Sequence, residues 1–301
     1  MRRLILLVSA SALLPASPAM AHGGHVHGIG WTLSPEVVLP LAVTLLLYGV
    51  GLARLLGRSR HARGLLVRRA LLFLAGWLIL AGALTSPLHE AGEVSFALHM
   101  VEHELIMLPA ALLLVAARPG PVLLWGLPAG GRRMIGAVAR VPLWRGLANP
   151  FVATLLQSAA LVVWHMPALF DRAVTSEGWH VAQHLSFVAT ALLFWWAMLP
   201  QGQDQARRLT SAVCLFVTSM VGGGLGALMA LGASPWYEAY VRMGMTPFGL
   251  TPAEDQQLAG LVMWVPGGLF HLGAALVFLG RALGSAPENL DDGVTRRRKT
   301  A

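Results

Sequence analysis

The sequence predicts an all-α fold: a polytopic transmembrane helix bundle with seven spans behind a cleaved signal peptide. Three observations predict it. Of the 301 residues, 56% are apolar and only 12% are charged, about half the charged share of a soluble domain. Seven runs of apolar residues are long enough to cross a bilayer. The basic residues then collect on one side of those runs. This composition excludes a cytosolic enzyme, a disordered chain and a coiled coil. The single Cys excludes a disulfide framework and any zinc site or cluster built from thiolates.

The elements follow in order. Arg2 and Arg3 form a positive n-region, Leu4 to Leu14 an apolar core, and Ala19-Met20-Ala21 a small-residue cleavage site. Residues 1–21 therefore read as a secretory signal rather than an uncleaved anchor, since the apolar core is too short to span. Residues 22–35 form a His-rich periplasmic leader, 36–284 the seven-span domain and 285–301 a basic cytoplasmic tail. The runs lie near 36–54, 69–87, 94–117, 148–167, 179–199, 209–231 and 257–281. Backbone groups in lipid must be paired within the protein, so each run reads as a helix. Strict apolar/polar alternation is absent, which argues against a β-barrel.

Orientation comes from the Lys/Arg count. The segments 54–69, 118–147, 200–208 and 281–301 hold 18 of the 22 basic residues, while the opposite loops hold only Arg172 and Arg242. The net charge of +8 is thus mainly a topology signal, and no nucleic-acid partner is implied. The N-terminus is expected in the periplasm and the C-terminus in the cytoplasm of a bacterial inner membrane. The Pro/Gly-rich segment 118–147, with Arg interleaved, is expected at the cytoplasmic interface. Gly222 and Gly226 have small-xxx-small spacing, which suits close helix packing within the bundle more than homodimerisation. Pro266 with Gly267 and Gly268 predicts a kink in the last span.

The histidines carry the chemistry. Of eleven, His22, His25 and His27 stand in a His-Gly-Gly-His-Val-His tract just after the cleavage site. Such a tract reads as an accessory metal site. The third run contains His99-Met100-Val101-Glu102-His103-Glu104. At ~100° per residue, His99, His103 and Met107 fall within about 80° of one another. Ionisable groups inside a span are costly and need a partner or a ligand. Two His at i, i+4 supply two metal ligands from one face, with a carboxylate such as Glu102 behind them. His180 and His184 repeat the spacing with Gln183 beside them, and His165 closes the fourth run. All five fall at the outer ends of their runs. His99, His103, His165, His180 and His184 therefore form the predicted ligand pool, and Met100, Met107 and His271 are accessory candidates. His271 lies deeper, as a ligand or as a packed polar residue. Imidazole suits copper, zinc, iron and nickel, and thioether favours Cu(I). Cys214 reads as core. There is no Gly-rich phosphate loop and no Cys-x-x-Cys-His haem motif, and position 100 is Met where a zincin carries its Glu. The sequence predicts no enzymatic activity.

Four stretches carry a family resemblance: His99-Met100-Val101-Glu102-His103; Trp164-His165-Met166-Pro167-Ala168-Leu169-Phe170-Asp171; His180-Val181-Ala182-Gln183-His184 with Trp195-Trp196; and Asp255-Gln256-Gln257 through Met263-Trp264-Val265-Pro266-Gly267-Gly268. They resemble the polytopic cytochrome c oxidase assembly factor CtaG, of the type associated with caa3 oxidases, from about the second run to the seventh. The resemblance implies a role in assembling a haem-copper oxidase, with copper as cargo. Its partners would be the oxidase subunit carrying the binuclear centre and periplasmic copper chaperones. Three other readings stay open: a b-haem electron-transfer protein with transmembrane His pairs, a copper or proton transporter using His271, and a purely structural scaffold.

Overall fold

The computed structural model describes residues 30–58, 61–138, 142–199 and 205–284. The predicted signal peptide, the His22, His25 and His27 tract and the basic tail lie outside the described residues. Those described form helices and turns, with no strand among them.

α1 spans Pro35–Arg58 and α2 Arg63–Thr85. The short α3 (Pro87–Val94) turns at Ser95 into the third span, Phe96–Ala116. That span joins α4 (Phe96–Leu105), a π-helical turn at Ile106–Ala110 and α5 (Ala111–Ala116). Next come α6 (Gly120–Gly126), α7 (Ala129–Val138) and α8 (Pro142–Leu147). α9 (Pro150–Trp164) and α10 (Pro167–Thr175) precede the long α11 (Glu177–Met198) and α12 (Gln205–Ala230). After α13 (Glu238–Met243), the last span runs Pro252–Leu283. It comprises α14 (Pro252–Val262), a second π-helical turn at Met263–Gly267 and α15 (Gly268–Leu283).

Among the described residues, six helices are long and apolar enough to cross a membrane, and a bent pair makes up to seven. The fourth differs from the uninterrupted helix expected over 148–167. α9 has 15 residues and stops before Met166-Pro167, where the chain turns by 75° into α10. Fifteen residues reach about 22 Å, short of a hydrocarbon core of about 30 Å. Pro167 supplies no backbone donor to continue the helix.

The solvent for this fold is lipid, and the burial pattern reflects it. Leu39, Leu71, Leu155, Leu185 and Leu269 are exposed, whereas His99, Glu102, His103, Gln157, Gln183 and Asp255 are buried. Small residues bring the backbones together. A Cβ on Gly226 of α12 would lie 2.7 Å from the Gly260 carbonyl of α14, so Gly226 serves packing within the bundle. A Cβ on Gly222 would meet nothing within 4 Å. At the other end of the molecule, Gly51 of α1 meets the Val122 carbonyl of α6. Arg54 donates to the Trp125 carbonyl at 2.7 Å and to that of Gly126 at 3.2 Å, at the electronegative end of α6.

Both π-turns contain a proline, Pro109 or Pro266, and both are tied by side chains. The Trp195 indole donates to the Met107 carbonyl at 2.9 Å. His271 Nδ1 donates to the Gly267 carbonyl at 3.0 Å, and its ring stacks on Trp195 with 10° between planes. The kink expected at Pro266 takes the form of this widened turn, which pairs the carbonyls that proline leaves free.

One contact places the histidine-bearing helix. Ser95 is the N-cap of α4, and the Asp255 carboxylate reaches it from α14. Its Oδ1 accepts from Ser95 Oγ at 2.8 Å and from the Ala97 N–H at 3.3 Å, and its Oδ2 accepts from the Phe96 N–H at 2.6 Å. A buried negative charge thus sits at the positive end of α4. Asp255→Ala is expected to lower the apparent Tm in detergent well beyond Asp255→Asn, which keeps one acceptor oxygen. A hydrogen bond to a charged group is worth roughly 1.5–3 kcal/mol, and alanine removes three. Gly260→Val is expected to cost about 3 kcal/mol, the upper end for overpacking, because rigid backbone faces the new side chain. An unchanged Tm for either Asp255→Ala or Gly260→Val would contradict the packing described.

Candidate metal centre

The site is built where three helices start. Ser86 caps α3 by accepting from the Leu88 N–H at 3.3 Å, and Pro87 opens the helix. α3 then packs on α4 through Gly92, whose Cβ would lie 3.1 Å from His99 Cα. This approach brings His89 against the first turns of α4. α11 begins at Glu177 and places His180 and His184 on the face turned toward α4.

Five imidazoles converge. His99 and His103 stack edge to face with centroids 4.3 Å apart, as do His180 and His184 at 4.4 Å. Across the helices, His103 lies 5.2 Å from His184 and His99 5.4 Å from His180. His89 lies 5.2 Å from His180 and 5.7 Å from His184. Three overlapping triads have ligand atoms within 4.8 Å of one another: His89, His180 and His184; His99, His103 and His184; and His99, Glu102 and His180. The nitrogens His99 Nε2, His103 Nδ1, His103 Nε2, His180 Nε2 and His184 Nε2 are buried without a hydrogen-bond partner. Unpaired nitrogens on four rings in one buried basin, one lone pair for each neutral imidazole, form a donor set suited to a metal ion.

Glu102 orients the edge of this basin. Its Oε1 accepts from His89 Nδ1 at 2.8 Å and lies 3.8 Å from His184 Nε2. With Nδ1 donating, His89 turns its Nε2 lone pair free, the usual arrangement for a ligand histidine held by a carboxylate. Burial disfavours charge on His89, but the Glu102 hydrogen bond and the Glu102, Glu93 and Glu90 carboxylates outweigh it and raise its pKa above the ordinary value. Gln183 is fully buried beside His99.

The predicted pool therefore divides. His99, His103, His180 and His184 come together, with Glu102 and Gln183 against them. His165 does not join a triad. It caps α9, where Nδ1 meets the Leu161 carbonyl at 2.7 Å and Nε2 faces Met100 Sδ at 3.4 Å. Met100 is thus turned to His165, and Met107 Sδ accepts from Gln157 Nε2 at 3.4 Å. His271 sits apart on α15 against Trp195. It borders a small cavity with Glu104, Gln157 and Gly267. Cys214 is buried and free, as expected.

Sequence reasoning had passed over two residues. His89 was visible only as a histidine near the outer end of the second run, and its i, i+4 positions carry no second histidine. Asp255 stands just before the last run, in a stretch that carries the family resemblance, and nothing local points to a partner at Phe96.

No curated protein and no solved structure matches the chain. A family model described as the cytochrome c oxidase caa3 assembly factor, Caa3_CtaG, matches residues 46–285. That match takes in every helix carrying the basin and the Asp255 contact, and the chain belongs to this family of cytochrome c oxidase assembly factors.

Proposed function

We propose that the protein holds copper in the histidine basin and passes it to the oxidase subunit that carries the binuclear centre. The observation that carries this reading is the set of buried, unpartnered ring nitrogens on α4 and α11. An unsatisfied buried polar atom costs roughly 1–3 kcal/mol, and a bound ion would satisfy several together. Copper is favoured over zinc by the family's target, a haem-copper oxidase.

The overlap of the triads suggests how the ion would move. His89 and His180 are partly buried and form the rim, while His99 and His103 form the floor. His184 belongs to both the rim triad and the floor triad. An ion held at the rim would exchange two ligands for the floor pair while keeping His184 throughout. Stepwise exchange avoids a bare ion in a low-dielectric interior.

The charge asymmetry supports a basin on the side of supply. Its residues lie at the ends of the spans away from Arg54, Arg118, Arg207 and Arg281, and the positive-inside rule puts that end in the periplasmic leaflet. The His22, His25 and His27 tract would then capture copper, or receive it from periplasmic chaperones. A b-type haem has less support, because the paired rings already pack against one another at 4.3 and 4.4 Å. Transport through His271 also has less support, since its Nδ1 and its ring face are engaged by Gly267 and Trp195.

Two measurements test the proposal. Purified protein loaded with copper is expected to lose basin copper in the His99→Ala/His103→Ala variant, and full retention would overturn the assignment. In cells whose oxidase depends on this protein, His184→Ala is expected to yield oxidase that contains haem and lacks binuclear copper. A pure scaffold predicts normal copper content in that oxidase.

A further inference from the structure

His165 and Met100 pose a separate problem of hydrogen bonding. The Leu161 carbonyl only accepts, so His165 Nδ1, 2.7 Å away, carries the ring proton. The neutral ring then presents a lone pair at Nε2. That lone pair faces Met100 Sδ at 3.4 Å, and a thioether also only accepts. Two acceptors face each other in a site where His165 is 3% exposed and Met100 1%. Phe170 stands 6.1 Å from the His165 ring, and the basin's His99 and His103 lie within electrostatic reach of it. Tyr237 donates to the His165 carbonyl at 3.1 Å, which holds the residue in place at the end of α9.

The spacing fits a shared cation. With bonds of about 2.0 Å to nitrogen and about 2.3 Å to sulfur, donors 3.4 Å apart subtend roughly 105° at an ion between them, close to a tetrahedral angle. Neither donor is charged, so a divalent ion would be poorly compensated here. A thioether selects soft ions. We infer that His165 and Met100 form a second metal site, distinct from the histidine basin and selective for a soft monovalent ion of the Cu(I) class. The site stands on its own geometry, and only the choice of copper as its natural ion rests on the proposed function. The basin offers imidazole and carboxylate and accepts borderline ions such as Zn(II). The second site adds sulfur from Met100, the residue after His99 on the same helix and turned to a different face, so the protein discriminates oxidation state as well as element.

The test uses the full chain in detergent with Ag(I), a redox-inert soft ion, and Zn(II) as separate probes. Met100→Leu conserves volume and is expected to fold with an unchanged Tm. It is expected to lose one Ag(I) equivalent, together with the sulfur scatterer in the Ag(I) X-ray absorption spectrum, and to keep its Zn(II) stoichiometry. His103→Ala/His184→Ala is expected to do the reverse, losing Zn(II) and retaining sulfur-ligated Ag(I). If Met100→Leu keeps every Ag(I) equivalent, or wild type shows no Ag–S scattering, the second site is overturned while the basin stands. If wild type binds Ag(I) through sulfur and no Zn(II) or copper at the histidines, the basin is overturned and the second site stands.

Discussion

The Asp255 carboxylate at the start of α4 is the contact on which the rest of the site depends. In lipid, the first N–H groups of a helix find no water, and an unpaired start would cost several kcal/mol. Asp255 pairs two of those donors and the Ser95 hydroxyl from 158 to 160 residues away in sequence. That sets the depth at which α4 begins and the direction its faces point. His99 and His103 follow one and two turns later and inherit both. Without this anchor, α14 and α4 share no polar registration, and the basin has no fixed floor.

The π-turns adjust the lower half of the span. On an ideal helix, Met107 falls on the stripe of His99 and His103. The turn at Ile106–Ala110 accommodates an extra residue and shifts the phase just where Met107 sits. Met107 therefore faces Gln157. At the second π-turn, Met263–Gly267, Gly267 leaves room for the Glu104 carboxylate, which a Cβ there would meet at 2.7 Å. The prolines that force these turns act at a distance from the histidines and still decide which donors share a site.

The polar interior has an energetic logic. A bundle in lipid gains little from burying leucine, since the lipid tails are equally apolar. Its specificity comes from close backbone approach, as at Gly226 and Gly260, and from polar groups that only their partners satisfy. Asp255, Oε1 of Glu102 and the Trp195 indole are satisfied in this way. The basin nitrogens stand out among the buried groups left without a partner, because they cluster in one place, and such a cluster marks where a ligand belongs.

Sequence by itself determined the spans, their expected orientation and the depth of the histidines. Hydropathy and charge vary along one dimension, and a bilayer reads that same dimension: its thickness sets helix length and its charge asymmetry sets direction. An expected depth was therefore legible for His99, His103, His180 and His184, and the i, i+4 spacing gave each pair its shared face. Tertiary structure alone decided which residues at one depth meet. His165 and His89 both follow the ends of apolar helices, yet the first turns to Met100 and the second joins the basin. The reason is rotational. A helix's azimuth is set by contacts with partners far away in the chain, such as Asp255 with Phe96 and Gly92 with His99, and by proline-induced turns that reset its phase. None of these appears in the local pattern of any one span.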